Sequence, residues 1–329
     1  MASRTDELEA FKALNLTEVA ASYGYELDQR ASCPTSIKMR HPDGDIIVIG
    51  RDPTDRHWTY FAVGENHSGS VIDLVQHRES VSLGVVRKRL RPWLSPTTRP
   101  AFTPSETVRD VRPVARDLLA VKAKFDAAQD VAGQHPYLCD TRCLPPPLLT
   151  SRRFFGRIRI DERGNVIFPH WTRQNGEAVL CGFEIKNEGY TGFASGGQKG
   201  LWPSTVLDED RRLVIAETAI DALSYAALHD DGVSRYVSIA GQMNPQQPDL
   251  LVAAIRRLPR AGVVVMALDH DDAGERLAEQ IQEIFGSADR DDLELIDGRP
   301  PVADTDWNDV LRASQKSQAA SPPPHTGPA

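Results

Sequence analysis

The stretch from Arg212 to Ile296 constrains the fold more than any other part of the chain. Short aliphatic runs at 213–216, 236–240, 262–268 and 293–296 alternate with helical spacing at 220–229, 248–258 and 274–285. Each helix must carry the chain back to the start of the next strand. The strands therefore run parallel, and helices cover both faces of the sheet. In open sheets of this kind, ligands bind outside the carboxyl ends of the strands. The residues that follow each apolar run are the first candidates for chemistry.

Those residues are acidic. Glu217 follows the run 213–216, and Asp269 and Asp271 follow 262–268. Three carboxylates at neighbouring strand ends repel one another unless a cation or a shared proton resolves the charge. Magnesium is the expected ion, with manganese as a substitute, because a hard cation takes oxygen ligands and keeps exchangeable waters. One residue separates Asp269 from Asp271, so a turn at His270 is needed to bring them to one side. Ala273-Gly274 then lets a helix start close by with N–H groups suited to a phosphate. Asp221 lies one helical turn beyond Glu217 and can support the site or cap the helix.

Val214-Ile215-Ala216-Glu217-Thr218-Ala219-Ile220-Asp221-Ala222-Leu223 resembles the first motif of the Toprim family. Asp269-His270-Asp271-Asp272-Ala273-Gly274 resembles its DxDxAG motif. Ser238-Ile239-Ala240-Gly241 is similar to its middle strand and glycine turn, and Asp306-Trp307-Asn308-Asp309 to an acidic ending of plasmid and phage primase-like members. Thr218 departs from the usual glycine. The resemblance covers 212–312 and implies a Rossmann-like Toprim sheet. It also implies Glu217 as general acid or base and Asp269 and Asp271 as metal ligands. Glu217, Asp221 and Asp309 would be further ligands.

The region before this core is similar, more loosely, to the small subdomain that precedes Toprim in bacterial DnaG-type primases. The resemblance rests on Tyr137-Leu138 to Cys143-Leu144, on a hairpin ending Val166-Ile167-Phe168-Pro169-His170, on Gly182-Phe183-Glu184, and on Gly197-Gln198-Lys199-Gly200-Leu201-Trp202. Lys199 among glycines suits a phosphate. Arg152, Arg153, Arg157 and Arg159 beside Phe154 and Phe155 are candidates to track a single strand by charge and stacking, with Arg157 and Arg159 on one face of a strand 154–160. Residues 33–80 resemble the zinc ribbon that opens many primases, through Cys33-Pro34 and Gly69-Ser70-Val71-Ile72-Asp73-Leu74-Val75. The paired ligands that a zinc site needs are replaced by Thr35-Ser36 and by Tyr60 to Val63. His41, His57 and His67 lack paired spacing, as do Cys139 and Cys143. Zinc is therefore not expected.

The organisation expected is a ligand-poor ribbon-like α+β domain over 1–95, opening with one helix over 7–23, and a Pro-rich linker over 96–113. A primase-like α+β subdomain follows over 114–207, then the Toprim domain over 208–313 and a disordered tail over 314–329. The formal charge of −8 is not what a protein held on duplex DNA through bulk electrostatics usually shows, so nucleic-acid contacts are expected to be local. No apolar run approaches the roughly 18 residues of a membrane span. The acidic first nine residues do not read as an export signal, so a cytoplasmic location is expected.

The reading is a primase-like nucleotidyltransferase of a plasmid or mobile element, acting on single-stranded DNA with nucleotides. A replicative helicase or a relaxase is a candidate partner. The alternatives are a Toprim nuclease and a non-catalytic DNA-binding adaptor in conjugation or replication. The sequence holds no GxxxxGK[ST] loop of the ATPase that accompanies many Toprim nucleases.

Overall fold

The computed structural model of the protein describes every residue except 1–3, 34, 52–56, 64–66, 96–97, 99, 101–110, 112–114, 230 and 321–329. It divides into two compact units, Met1–Ala115 and Arg116–Ala329. The Pro-rich linker at 96–113 falls almost wholly outside the described residues.

In the first unit, α1 (Arg4–Lys12) and α2 (Leu16–Ser22) precede a five-stranded antiparallel meander. Its strands are β1 (Glu26–Leu27), β2 (Ile37–Arg40), β3 (Ile46–Arg51), β4 (Trp58–Ala62) and β5 (Ser68–Gly69), paired in that order. Helices α3 (Val71–Glu79) and α4 (Leu83–Leu90) follow. Period-two alternation buries Ile37, Met39, Ile47, Ile49, Trp58 and Tyr60 on one face. Phe11, Leu16, Leu74, Val75 and Leu90 from the helices join them in one core. The single helix expected over 7–23 is two helices. Asn15 breaks it, because its side chain accepts a hydrogen bond from the Thr17 N–H and caps α2.

The second unit opens with α5 (Leu118–Ala127), β6 (Gln129–Asp130), a π-helical turn Pro136–Thr141 and α6 (Pro146–Leu149). Strands β7 (Arg159–Ile160), β8 (Val166–Gln174), β9 (Glu177–Asn187) and β10 (Tyr190–Phe193) then form an antiparallel sheet in the order β10-β9-β8-β7-β6. The strand expected over 154–160 is mostly turn, and only Arg159 and Ile160 pair. Phe154 is drawn inward instead and stacks on Trp202, with centroids 6.0 Å apart and planes at 9°.

A second sheet follows, built from β11 (Trp202–Pro203), β12 (Arg212–Ala216), β13 (Ser234–Ser238), β14 (Val263–Ala267) and β15 (Glu294–Asp297), in the order β11-β13-β12-β14-β15. All pairings are parallel except that of β11 with β13. Helices α7 (Ala219–His229), α8 (Gln247–Arg256) and α9 (Asp272–Ser287) make the crossovers, and α10 (Trp307–Ala320) closes the chain. Alternation along the strands assigns the two faces. Val214, Ala216, Val265 and Ala267 share a core with α7, Trp307 and Leu311. Leu213, Ile215, Val264 and Met266 share one with α8 and α9.

The tail expected to be disordered from Ser314 is helical as far as Ala320. Leu311 is buried, and Gln315 donates to the Cys143 carbonyl at 2.6 Å, which holds the helix past Ser314. Residues 321–329 lie outside the described residues.

Trp202 ties the antiparallel part of this unit to the parallel sheet. It is fully buried, pairs with Ser238, meets Phe168 edge-on, and donates its indole N–H to the Arg157 carbonyl at 2.8 Å. Trp202→Ala should cost about 3–5 kcal/mol of unfolding free energy, read as a lowered urea midpoint. A loss below about 1 kcal/mol would contradict this account.

Candidate active site

Strand order locates the site. From β12 the chain crosses to β13 on one side, and from β14 it crosses to β15 on the other. The crevice between the ends of β12 and β14 is therefore a topological switch point, where open α/β sheets bind ligands. Ala216 pairs with Ala267, so Glu217 and Asp269 leave the sheet at its carboxyl edge, on either side of that crevice.

Loop hydrogen bonds arrange the remaining acids. The chain bends at His270, as convergence requires. The His270 N–H donates to Thr305 O, the Asp304 N–H to His270 O, and His270 Nδ1 to Pro300 O, at 3.0, 2.7 and 2.7 Å. These bonds fasten the segment before α10 to the end of β14. Asp269, Asp271, Asp304, Thr305, Asp306 and Asp309 then line a cleft of about 210 Å³. On the far side Asp221, 3% exposed, accepts from Thr218 Oγ1 at 2.5 Å.

Burial and mutual repulsion raise the proton affinity of this group. Burial, then the charges of Asp221, Glu217, Asp306 and Asp271, pushes the Asp269 carboxyl up to about 9. Burial, then Asp306 and Glu217, pushes Asp221 up to about 7. Glu217 is raised by burial, Asp271 and Asp306, against the pull of Lys199. Asp306 is raised chiefly by burial. Glu217 Oε2 and Asp269 Oδ1 are buried without a hydrogen-bond partner. An all-oxygen donor set with two such orphaned atoms fits a hard divalent cation such as magnesium.

Several expected residues have other work. Asp271 Oδ1 accepts from the N–H groups of Ala273 and Gly274 at 2.9 and 2.7 Å, capping α9. Those groups are therefore not left for a phosphate, and Gly274 serves close approach instead. A Cβ there would sit 1.9 Å from the Asp269 carbonyl oxygen. The four arginines each have an internal partner. Arg152 pairs with Glu209 and Arg153 with Asp210. Arg157 lies over the Trp171 ring, and Arg159 pairs with Asp130 and covers Phe125. Asp309 is exposed and lies 3.6 Å from Arg312.

Lys199 lies within the electrostatic influence of Glu217. Its ammonium donates to Ala240 O at 2.8 Å and Gln242 O at 3.4 Å, in the loop whose Gly241 N–H binds the Glu217 carbonyl. Burial lowers its proton affinity, and the charges of Glu184 and Glu217 oppose that shift. Behind it, His170 donates from Nδ1 to Gly200 O at 2.8 Å, and its Nε2 lies 3.2 Å from Glu184 Oε1.

Residues 214–311, which carry this edge, match a family model described as Toprim-like. The chain carries a Toprim-like domain. Residues 136–210, the part leading into the Toprim sheet, match a family described as a protein of unknown function, DUF3991. The chain is 26% identical over 309 residues to the uncharacterized protein pXO2-78 of Bacillus anthracis, covering 85% of this chain and 82% of that one. It is similar in structure to the primase fragment of the bacteriophage T7 primase-helicase protein. That match has 14% identity and a TM-score of 0.38, over 58% of this chain and 77% of the other.

Sequence reasoning selected Asp309 from the acidic ending of the Toprim domain and passed over Asp306. The signal was available, since Asp306 stands at the cap of a helix whose first residue is an apolar tryptophan. Its Oδ1 accepts the Asp309 N–H at 2.6 Å. His170 and Glu184 both stand in stretches that resemble the primase subdomain, but no local pattern joins them as a buried pair.

The raised carboxyls give a signed pH dependence. Asp221 and Asp269 release protons near 3.8 when unfolded but hold them to about 7 and about 9 when folded. Their contribution to stability is full below pH 3.8 and is lost as pH rises through the folded values. Metal-free protein should melt at progressively lower temperature from pH 5 to pH 9. Asp269→Asn should flatten that slope, and magnesium should restore wild-type stability at pH 8. A slope unchanged by Asp269→Asn would sink this account.

Proposed function

We propose that this acidic edge is the centre of a primase-like nucleotidyl transfer on single-stranded DNA. The supporting observation is the group Glu217, Asp221, Asp269, Asp271 and Asp306 at the switch point, with orphaned oxygens on Glu217 and Asp269. The Toprim-like match and the plasmid-encoded relative agree with it. Asp269 and Asp271 would hold magnesium, which when bound supplies positive charge to nucleotide phosphate oxygens.

Glu217 takes the proton of the primer 3′-hydroxyl, a task suited to a carboxyl whose proton affinity is raised. The freed oxygen attacks the α-phosphorus of the incoming nucleotide, and pyrophosphate leaves. Lys199, whose charge acts on Glu217, would meet a phosphate there. Asp221 and Asp306 hold the local charge, and the cap made by Asp271 fixes the start of α9.

One observation favours the nuclease reading. Arg152, Arg153 and Arg159 are paired with Glu209, Asp210 and Asp130, so the surface ahead of the parallel sheet offers a template little free charge.

A single assay separates the readings. The full chain is incubated with single-stranded DNA, magnesium and labelled nucleotides, beside Glu217→Gln and Asp269→Asn. Primer synthesis reduced roughly 10²–10⁴-fold by Glu217→Gln, and abolished by Asp269→Asn, is the expected result. Cleavage lost in both variants would replace the proposal with a nuclease. Neither activity, with DNA still bound, would leave an adaptor.

A further inference from the structure

Three metal-binding side chains that lie far apart in the sequence meet in the N-terminal unit. Asp45 precedes β3, His67 precedes β5, and His77 lies in the last turn of α3. One donor atom from each lies within 4.8 Å of the other two. The imidazoles of His67 and His77 stack with centroids 3.5 Å apart and planes at 19°. His67 Nε2 faces Asp45 Oδ2 at 3.7 Å.

Two observations beyond proximity point to a cation. Asp45 is only 6% exposed, and its Oδ2 accepts from the Tyr25 hydroxyl with Arg78 Nη1 3.8 Å away. Its Oδ1 has no hydrogen-bond partner. A buried carboxylate oxygen in that condition is costly unless a cation reaches it. The second observation is that His67 Nδ1 lies 3.1 Å from the hydroxyl of buried Tyr60. When Nδ1–H donates there, the lone pair is left on Nε2, the atom that faces Asp45. An outer hydrogen bond of this kind sets the tautomer and ring orientation of metal-ligating histidines.

We infer that Asp45, His67 and His77 form a binding site for a zinc-class divalent transition-metal ion. Two imidazole nitrogens and one carboxylate oxygen suit zinc, whereas magnesium prefers oxygen alone. Zinc holds such donors at about 2.0–2.2 Å, so a tetrahedral set sits roughly 3.3–3.6 Å apart. Stacked rings direct their nitrogen lone pairs along near-parallel planes, so sharing one ion requires the exposed His77 ring to leave its stack on His67, with a water in the fourth position. The site uses none of the positions at which the sequence resembles a zinc ribbon. Cys33 is exposed and lies against Thr35 Oγ1. An ion here pins the turn before β3 to β5 and α3.

The test uses the full-length chain, stripped with a chelator, reloaded with zinc, desalted and assayed for metal content and melting temperature. Wild type should retain one zinc ion more per chain than His77→Ala, and zinc should raise the melting temperature of wild type alone. His77 is exposed, so its substitution leaves the fold intact, as circular dichroism should show. Tyr60→Phe should weaken zinc binding about 10–100-fold, an effect that a surface histidine pair would not transmit. The double variant Glu217→Gln, Asp269→Asn should keep the ion, which separates this site from the acidic edge. Equal zinc content in wild type and His77→Ala, displacement by excess magnesium, or loss of the ion in the double variant would overturn the assignment.

Discussion

Carboxylates held together at the carboxyl edge of a parallel sheet repel one another, and the second unit is organised around containing that repulsion. The sheet supplies rigidity, since β12 and β14 are covered on both faces and their ends cannot drift apart. The loop 300–306 supplies the clamp, through three hydrogen bonds to His270. A framework that keeps like charges close stores electrostatic energy that only a proton or a cation can release. Folding and chemistry are thus coupled through the same side chains.

Support for the edge comes from residues remote in the chain. Asn308, 1% exposed, donates to the Arg142 carbonyl and to Ser224 Oγ, while Arg142 returns a bond to its side-chain oxygen. This lattice seats α10 against α7 and so sets Asp306 beside Asp221. On the other flank Lys199 reaches the carbonyls behind Glu217. Gly200 allows that approach, because a Cβ there would meet the Trp171 carbonyl oxygen at 2.2 Å. The upstream antiparallel sheet therefore shapes the active edge by packing and by one lysine, while its arginines stabilise the sheet itself.

Much of this was legible in the order of residues. Strand–helix alternation from Arg212 onward identifies the parallel sheet, and the acids after two apolar runs fall at its active edge. The reading erred where tertiary partners decide. Residues 154–160 look like a strand, but Phe154 gains more by burial against Trp202 than by pairing in a ladder. The first helix breaks at Asn15, whose side chain caps the next one. Asp306 outranks Asp309 because its charge acts on Asp221 and Asp269, whereas Asp309 is an exposed residue of the cleft beside Arg312.

By itself the sequence determined which segments are strands and helices in the core and which edge carries acidic groups, and it raised the expectation of a hard cation there. Periodicity and residue type suffice for that, because they depend on neighbours in the chain. Tertiary structure alone decided that five carboxylates share one field, that Arg152, Arg153 and Arg159 pair with acids, and that Asp45, His67 and His77 meet. Charge coupling and ligand geometry depend on distance in space, which local sequence spacing does not encode.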